Sequence, residues 1–74
     1  MNKNIHVTHR PDGNWNVIGE GNKKPTAVVK TQKEGIAIAT QKARVDHVEV
    51  VIHGVNGKIR EKNSYGNDPY PPKG

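Results

Sequence analysis

Cysteine, phenylalanine and leucine are all absent from this sequence. Without cysteine there are no disulfide staples, no thiolate zinc sites and no cysteine nucleophile, which fits a reducing compartment. Without Phe or Leu, the large hydrophobes are Val, Ile and Trp15, so any core must be built mainly from β-branched side chains. No apolar stretch approaches the roughly 20 residues that a membrane span needs. The opening Met1-Asn2-Lys3-Asn4 leads into no apolar run of signal-peptide length. These absences make a cytoplasmic protein with no membrane partner the expectation. At 74 residues the chain is one small domain. Such a domain is marginal on its own core, so a homodimer is expected to add buried area.

The charge that is present is mostly positive. Twelve Lys and Arg face seven Asp and Glu, for a net charge of +5 and a pI near 9.8. A basic balance favours polyanionic partners such as nucleic acid, while the competing interpretation is simple solubility.

Periodicity divides the chain into short elements. Asn4 to His9 alternates with period two and places Ile5 and Val7 on one face. Pro11-Asp12-Gly13-Asn14 is a hairpin loop, because Pro presets φ and Gly accepts a positive φ. Trp15 and Val17 resume the apolar face, and Thr26 to Val29 is a possible short third strand. Thr31-Gln32-Lys33-Glu34 matches a capping box, in which the Thr hydroxyl and the Glu carboxylate each serve a backbone N–H. A helix is expected over 32–44, with Ile36, Ala39, Thr40 and Ala43 on its inward stripe. Gly35 weakens its first turn by roughly 1 kcal/mol relative to Ala, for no reason visible in the sequence. His47 to His53 is the strongest strand, with Val48, Val50 and Ile52 inward and Glu49, Val51 and His53 outward. Asn56-Gly57 is a hairpin turn, and residues 58–62 return with Ile59 inward. The resulting class is α+β: one helix on an antiparallel sheet of four or five strands, residues 1–65, followed by a Pro/Gly-rich extended tail over 66–74.

These segments resemble a known family. His6-Val7, Gly13 to Val17, Thr31 to Glu34, Val51 to Gly54, Asn56 to Ile59, Ser64 to Pro69 and Pro71-Pro72 together are similar to the prokaryotic domain-of-unknown-function family numbered 2188. The resemblance spans nearly the whole chain, and its tail is the most specific part. It implies a small stand-alone bacterial protein and carries no established activity, cofactor or site. Gly35 is a departure, since alanine is usual there.

Chemistry-bearing residues are few. His6 and His9 lie three apart and point to opposite faces of a strand. His47 and His53 share a face but stand roughly 20 Å apart, too far for one zinc ion; no metal and no cofactor are expected. Ser64 is the sole serine, and a triad would need His53 and Asp68 to converge on it, which no spacing demands. His53-Gly54 and Ser64-Tyr65 are expected to meet across the last hairpin, with His53 bonding the returning backbone. An enzyme is therefore not expected.

The basic residues are more suggestive. Lys58, Arg60 and Lys62 alternate along the last strand, Arg10 ends the first, and Lys23 and Lys24 lie in the loop before the third. Joined on one face, they would contact nucleic-acid phosphates with little sequence choice. Lysines on an edge strand also guard against edge-to-edge pairing, and Glu49 and Glu61 dilute the patch. With Trp15 assigned to the core, base stacking falls to Tyr65 and Tyr70, too few for a dedicated single-strand reader. The alternative is a protein-interaction module acting through a sheet edge or through Tyr65, Tyr70, Pro71 and Pro72 of the tail.

Overall fold

A computed structural model describes residues 3–65. The expected tail over 66–74, with Tyr70, Pro71 and Pro72, lies outside the described residues. The elements are β1 (Ile5–His9), β2 (Trp15–Gly19), β3 (Ala27–Val29), α1 (Gln32–Asp46), β4 (Glu49–His53) and β5 (Ile59–Ser64). The fold is α+β, with the helix packed on a single five-stranded sheet.

Local chemistry explains most boundaries. Thr31 caps α1 by accepting from the Glu34 N–H at 3.1 Å, one half of the expected capping box, while the Glu34 carboxylate accepts from the Thr31 hydroxyl at 3.3 Å rather than from a backbone N–H. At the other end His47 adopts a left-handed conformation, φ 59°, and returns its N–H to the Ala43 carbonyl. Gly13 and Gly57 supply the positive φ that the two hairpin turns need.

The core is built from the expected face. Ile5, Val7, Trp15, Val17, Val50 and Ile52 are buried under Ala39 and Ala43 of the helix. Gly35 now has a cause. A Cβ at this position would stand 3.1 Å from the Val7 side chain and 3.5 Å from that of Val29. The helix lies so close to β1 that a methyl group in its first turn fits only if the Val7 side chain gives by a few tenths of an ångström.

The strand order is β3-β2-β1-β4-β5, and three of the four pairings are antiparallel. The central pair is different: β1 and β4 run parallel, with Ile5, His6 and Val7 opposite Val50, Val51 and Ile52. The sheet is thus mixed rather than purely antiparallel. β3 already occupies the free edge of β2. The helix therefore carries the chain back across the sheet to the open edge of β1, and β4 enters in the direction of β1.

Two side chains depart from simple alternation. Val51 points away from the helix as expected, yet is buried on the outer face between His6 and Lys62, its register neighbours. A bulge between Ile52 and His53 shifts the register of β5, and Ile59, expected inward, is 63% exposed. The helix packs on β1 to β4 and leaves β5 uncovered, so residues 59–62 are all exposed.

Candidate functional site

The strand directions sort the basic residues by molecular end. β1 and β4 finish, β2 and β5 begin, β3 finishes and α1 begins at one end of the sheet. That end gathers Arg10, Lys30, Lys33, Lys58 and Arg60 around the helix N-terminus, which itself carries partial positive charge. Lys30 and Lys33 flank the capping residue and were not singled out in the sequence. Their signal was present in Lys30-Thr31-Gln32-Lys33, since whatever surrounds a helix start must surround its neighbours in the sheet.

Each sequence-derived candidate now has a place. Lys58 lies in the β4–β5 turn, exposed and without an ion pair among the described residues. Arg60 donates to the side-chain oxygen of Gln32 at 2.8 Å, while the amide nitrogen of Gln32 donates to the His53 carbonyl at 3.0 Å. Gln32 therefore clamps helix, β4 and β5 together, and because Gln32 is neutral the Arg60 charge has no acidic partner among the described residues. Lys62 faces Glu49 at 3.4 Å, which removes it from the cluster. Arg10 is shared between Asp12 at 3.2 Å and Asn16 at 2.8 Å. Lys23 and Lys24 are exposed at the opposite end of the molecule, in the loop from β2 to β3.

The expected single stripe of Lys58, Arg60 and Lys62 is not formed. The bulge breaks the alternation that would have aligned them. Instead Lys58 and Arg60 line an open depression of about 550 Å³ with Gly54, Val55, Asn56 and Ile59. Two cations there border two exposed aliphatic side chains, Val55 and Ile59.

The remaining candidates separate. His53 pairs with Ile59, whereas Ser64 pairs with Glu49 at the far end of β4, so the expected meeting of His53 and Ser64 does not occur. His53 does reach the turn backbone, its Nδ1 standing 3.2 Å from the Gly57 carbonyl. Tyr65 is half-buried against the core, and the Arg44 guanidinium lies 5.6 Å over its ring. Among the described residues no group of three metal-ligating side chains converges. No helix among them is long and apolar enough to cross a membrane.

Asp12 closes the β1–β2 turn. The Asn14 N–H, donated to its carboxylate at 2.9 Å, and then the Arg10 guanidinium hold its pKa below the ordinary value of 3.8.

Comparison with known proteins places the chain by sequence. The profile of a family described as an uncharacterized protein conserved in bacteria (DUF2188) matches residues 5–65. The uncharacterized protein YdaT of Bacillus subtilis (strain 168) is 34% identical over 67 residues, covering 90% of this chain and 44% of YdaT. The chain thus spans less than half the length of that relative. No solved structure matches significantly.

Proposed function

The chain belongs to the DUF2188 family of uncharacterized proteins conserved in bacteria, and from that premise we propose that it is a non-enzymatic, cytoplasmic module that binds nucleic acid weakly through its basic end. One observation carries this reading. Lys30, Lys33, Lys58 and Arg60 are exposed around the start of the helix, and none of them is ion-paired among the described residues. Cations left without acidic partners are free to replace the counterions of a phosphate backbone. Val55 and Ile59, exposed beside Lys58 and Arg60, offer apolar contact to a sugar edge. Among the described residues no aromatic ring lines the depression to stack on a base. Backbone contacts to a duplex therefore fit better than reading of a single strand.

The test is a fluorescence-anisotropy titration with labelled duplex and single-stranded oligonucleotides at about 50 and 200 mM salt. Wild type should bind at low salt and weaken steeply at high salt. Lys58→Glu with Arg60→Glu should lower affinity at least about tenfold and flatten the salt slope by about two. Lys23→Glu with Lys24→Glu, at the opposite end, should do far less. Equal losses from both double variants would point to net charge alone and remove the basic end as a site.

If wild type does not bind even at low salt, the proposal falls and a second reading takes its place. Among the described residues β5 is an edge strand with no helix over it. Its outward backbone groups can add an extended segment of a partner protein. The Lys58 and Arg60 charges favour an acidic segment.

A further inference from the structure

We propose that His6 and His53 form one shared proton-binding site on the open face of the sheet, and that its occupancy latches the β4–β5 hairpin. The site is assembled across strands: His6 is on β1 and His53 on β4, and the rings meet on the face away from the helix. His6 Nδ1 is 2.9 Å from His53 Nε2. Beyond His6, its Nε2 stands 3.1 Å from the Glu20 carboxylate. Beyond His53, its Nδ1 stands 3.2 Å from the Gly57 carbonyl.

A count of protons follows from the chemistry of the two ends. A carboxylate and a backbone carbonyl can only accept. The chain Glu20, His6, His53, Gly57 therefore has three gaps, each needing one N–H. Two neutral imidazoles bring two protons between them, so one gap is left with two acceptors facing each other. Two cationic imidazoles bring four, which sets two N–H groups head-on in the central gap. Only the pair holding three protons satisfies every contact. In that state His6 donates to Glu20, His53 donates to Gly57, and the third proton lies between His6 Nδ1 and His53 Nε2, held by either ring.

The ring alignment argues for a proton and against a metal ion in the central gap. The ring centroids are 5.2 Å apart, as far as two rings stand when facing nitrogens 2.9 Å apart meet head-on. Two ligands of one metal would instead aim at a common point beside the line joining them, and no third ligand converges among the described residues. Four charged groups on the same face are engaged among the described residues. Glu20 is the terminal acceptor, Lys62 and Glu49 are paired with each other at 3.4 Å, and Arg10 is engaged by Asp12 and Asn16. Lys58 follows Gly57 in the turn, so the site lies directly behind the basic hairpin without using its lysine.

Occupancy by the shared proton ties three segments together: the end of β2 through Glu20, β1 through His6, and the β4–β5 turn through His53 and Gly57. Losing the proton at higher pH, or gaining another at lower pH, breaks one link. The latch is thus strongest at intermediate pH, which is the pattern of a coupled pair rather than of two independent histidines.

The experiment follows the imidazole nitrogens of the full chain by NMR across about pH 5 to 8, where histidine changes charge. The wild type, His53→Gln, His6→Gln and Glu20→Gln are compared. His6 and His53 should titrate as a coupled pair in the wild type, and each remaining ring should revert to a single-step curve when the other is replaced. Thermal midpoints provide the second readout. The difference between wild type and His53→Gln should pass through a maximum within this range. If a Gln variant of either histidine fails to fold, Glu20→Gln, altering an exposed carboxylate, should still displace the titration of both rings. Rings that titrate independently in the wild type, or that ignore Glu20→Gln, would overturn the proposal. The oligonucleotide titration does not enter this test, so the two ideas can fail separately.

Discussion

At the scale of single residues, Gly35 shows how a local cost can be set by a distant neighbour. Its helix propensity is about 1 kcal/mol worse than that of alanine, so an isolated helix would gain from Gly35→Ala. In the fold the added methyl meets Val7 at 3.1 Å, and Val7 is fully buried between β2 and β4. Overpacking of this kind costs about 1–3 kcal/mol and should exceed the propensity gain. Gly35→Ala is expected to lower stability by about 1 kcal/mol in urea unfolding; a more stable variant would mean that the helix can lift away from β1.

Asp12 acts at the same scale. Its carboxylate is held below the ordinary range by the Asn14 N–H first and by Arg10 next. For a carboxylate with a lowered pKa, the contribution to stability is present above the ordinary value of 3.8 and fades as pH falls through the lower folded value. The Arg10–Asn14 turn should therefore loosen only in strong acid, read as faster amide exchange at Gly13 and Asn14. Asp12→Ala should remove that acid-dependent step. A turn that loosens well above the ordinary carboxylate value would contradict the assignment.

At the scale of elements, α1 depends on its ends and on a lean inner stripe. The buried side of the helix is Gly35, Ala39 and Ala43, which permits close approach but buries little apolar area per turn. The capping interactions then matter in proportion. Thr31→Ala should cost about 1 kcal/mol, and calorimetry would record it as a lowered Tm. An unchanged Tm would show that the turn from β3 already fixes the helix start. β5 is the opposite kind of element, held by β4 alone, with the Gln32 clamp and the His53 contact at its turn. A strand supported on one edge only sits at the low-stability end of the molecule. That is where Lys58 and Arg60 are displayed.

At the scale of the whole molecule, the mixed sheet decides which charges act together. Because β4 runs parallel to β1, the β4–β5 turn arrives beside the start of the helix. Lys58 and Arg60 are thereby joined with Lys30 and Lys33 instead of Lys23 and Lys24. The β5 edge also bears on self-association. A two-fold antiparallel pairing of two β5 edges centred on Glu61 sets Glu61 against its own copy and Arg60 against Lys62. Like charges directly opposite each other are destabilising, so these side chains guard that edge against a second copy. An anionic partner meets no such penalty from Arg60.

The sequence by itself determined the elements and the core. The capping box located the helix start, Asn56-Gly57 located a turn, and alternation identified Ile5, Val7, Trp15, Val17, Val50 and Ile52 as the buried face. Family membership was legible too, because residues 5–65 carry it throughout. These features are local: each is written in residues a few positions apart. Only the tertiary structure decided the parallel β1–β4 pair, the bulge that scattered the expected Lys58, Arg60 and Lys62 stripe, and the reason for Gly35. It also brought His6 to His53 across 47 positions of sequence. Pairing partners depend on which sheet edge is free when the helix has crossed back, and a bulge on how two strands share one turn. Neither is encoded in the period of a single strand.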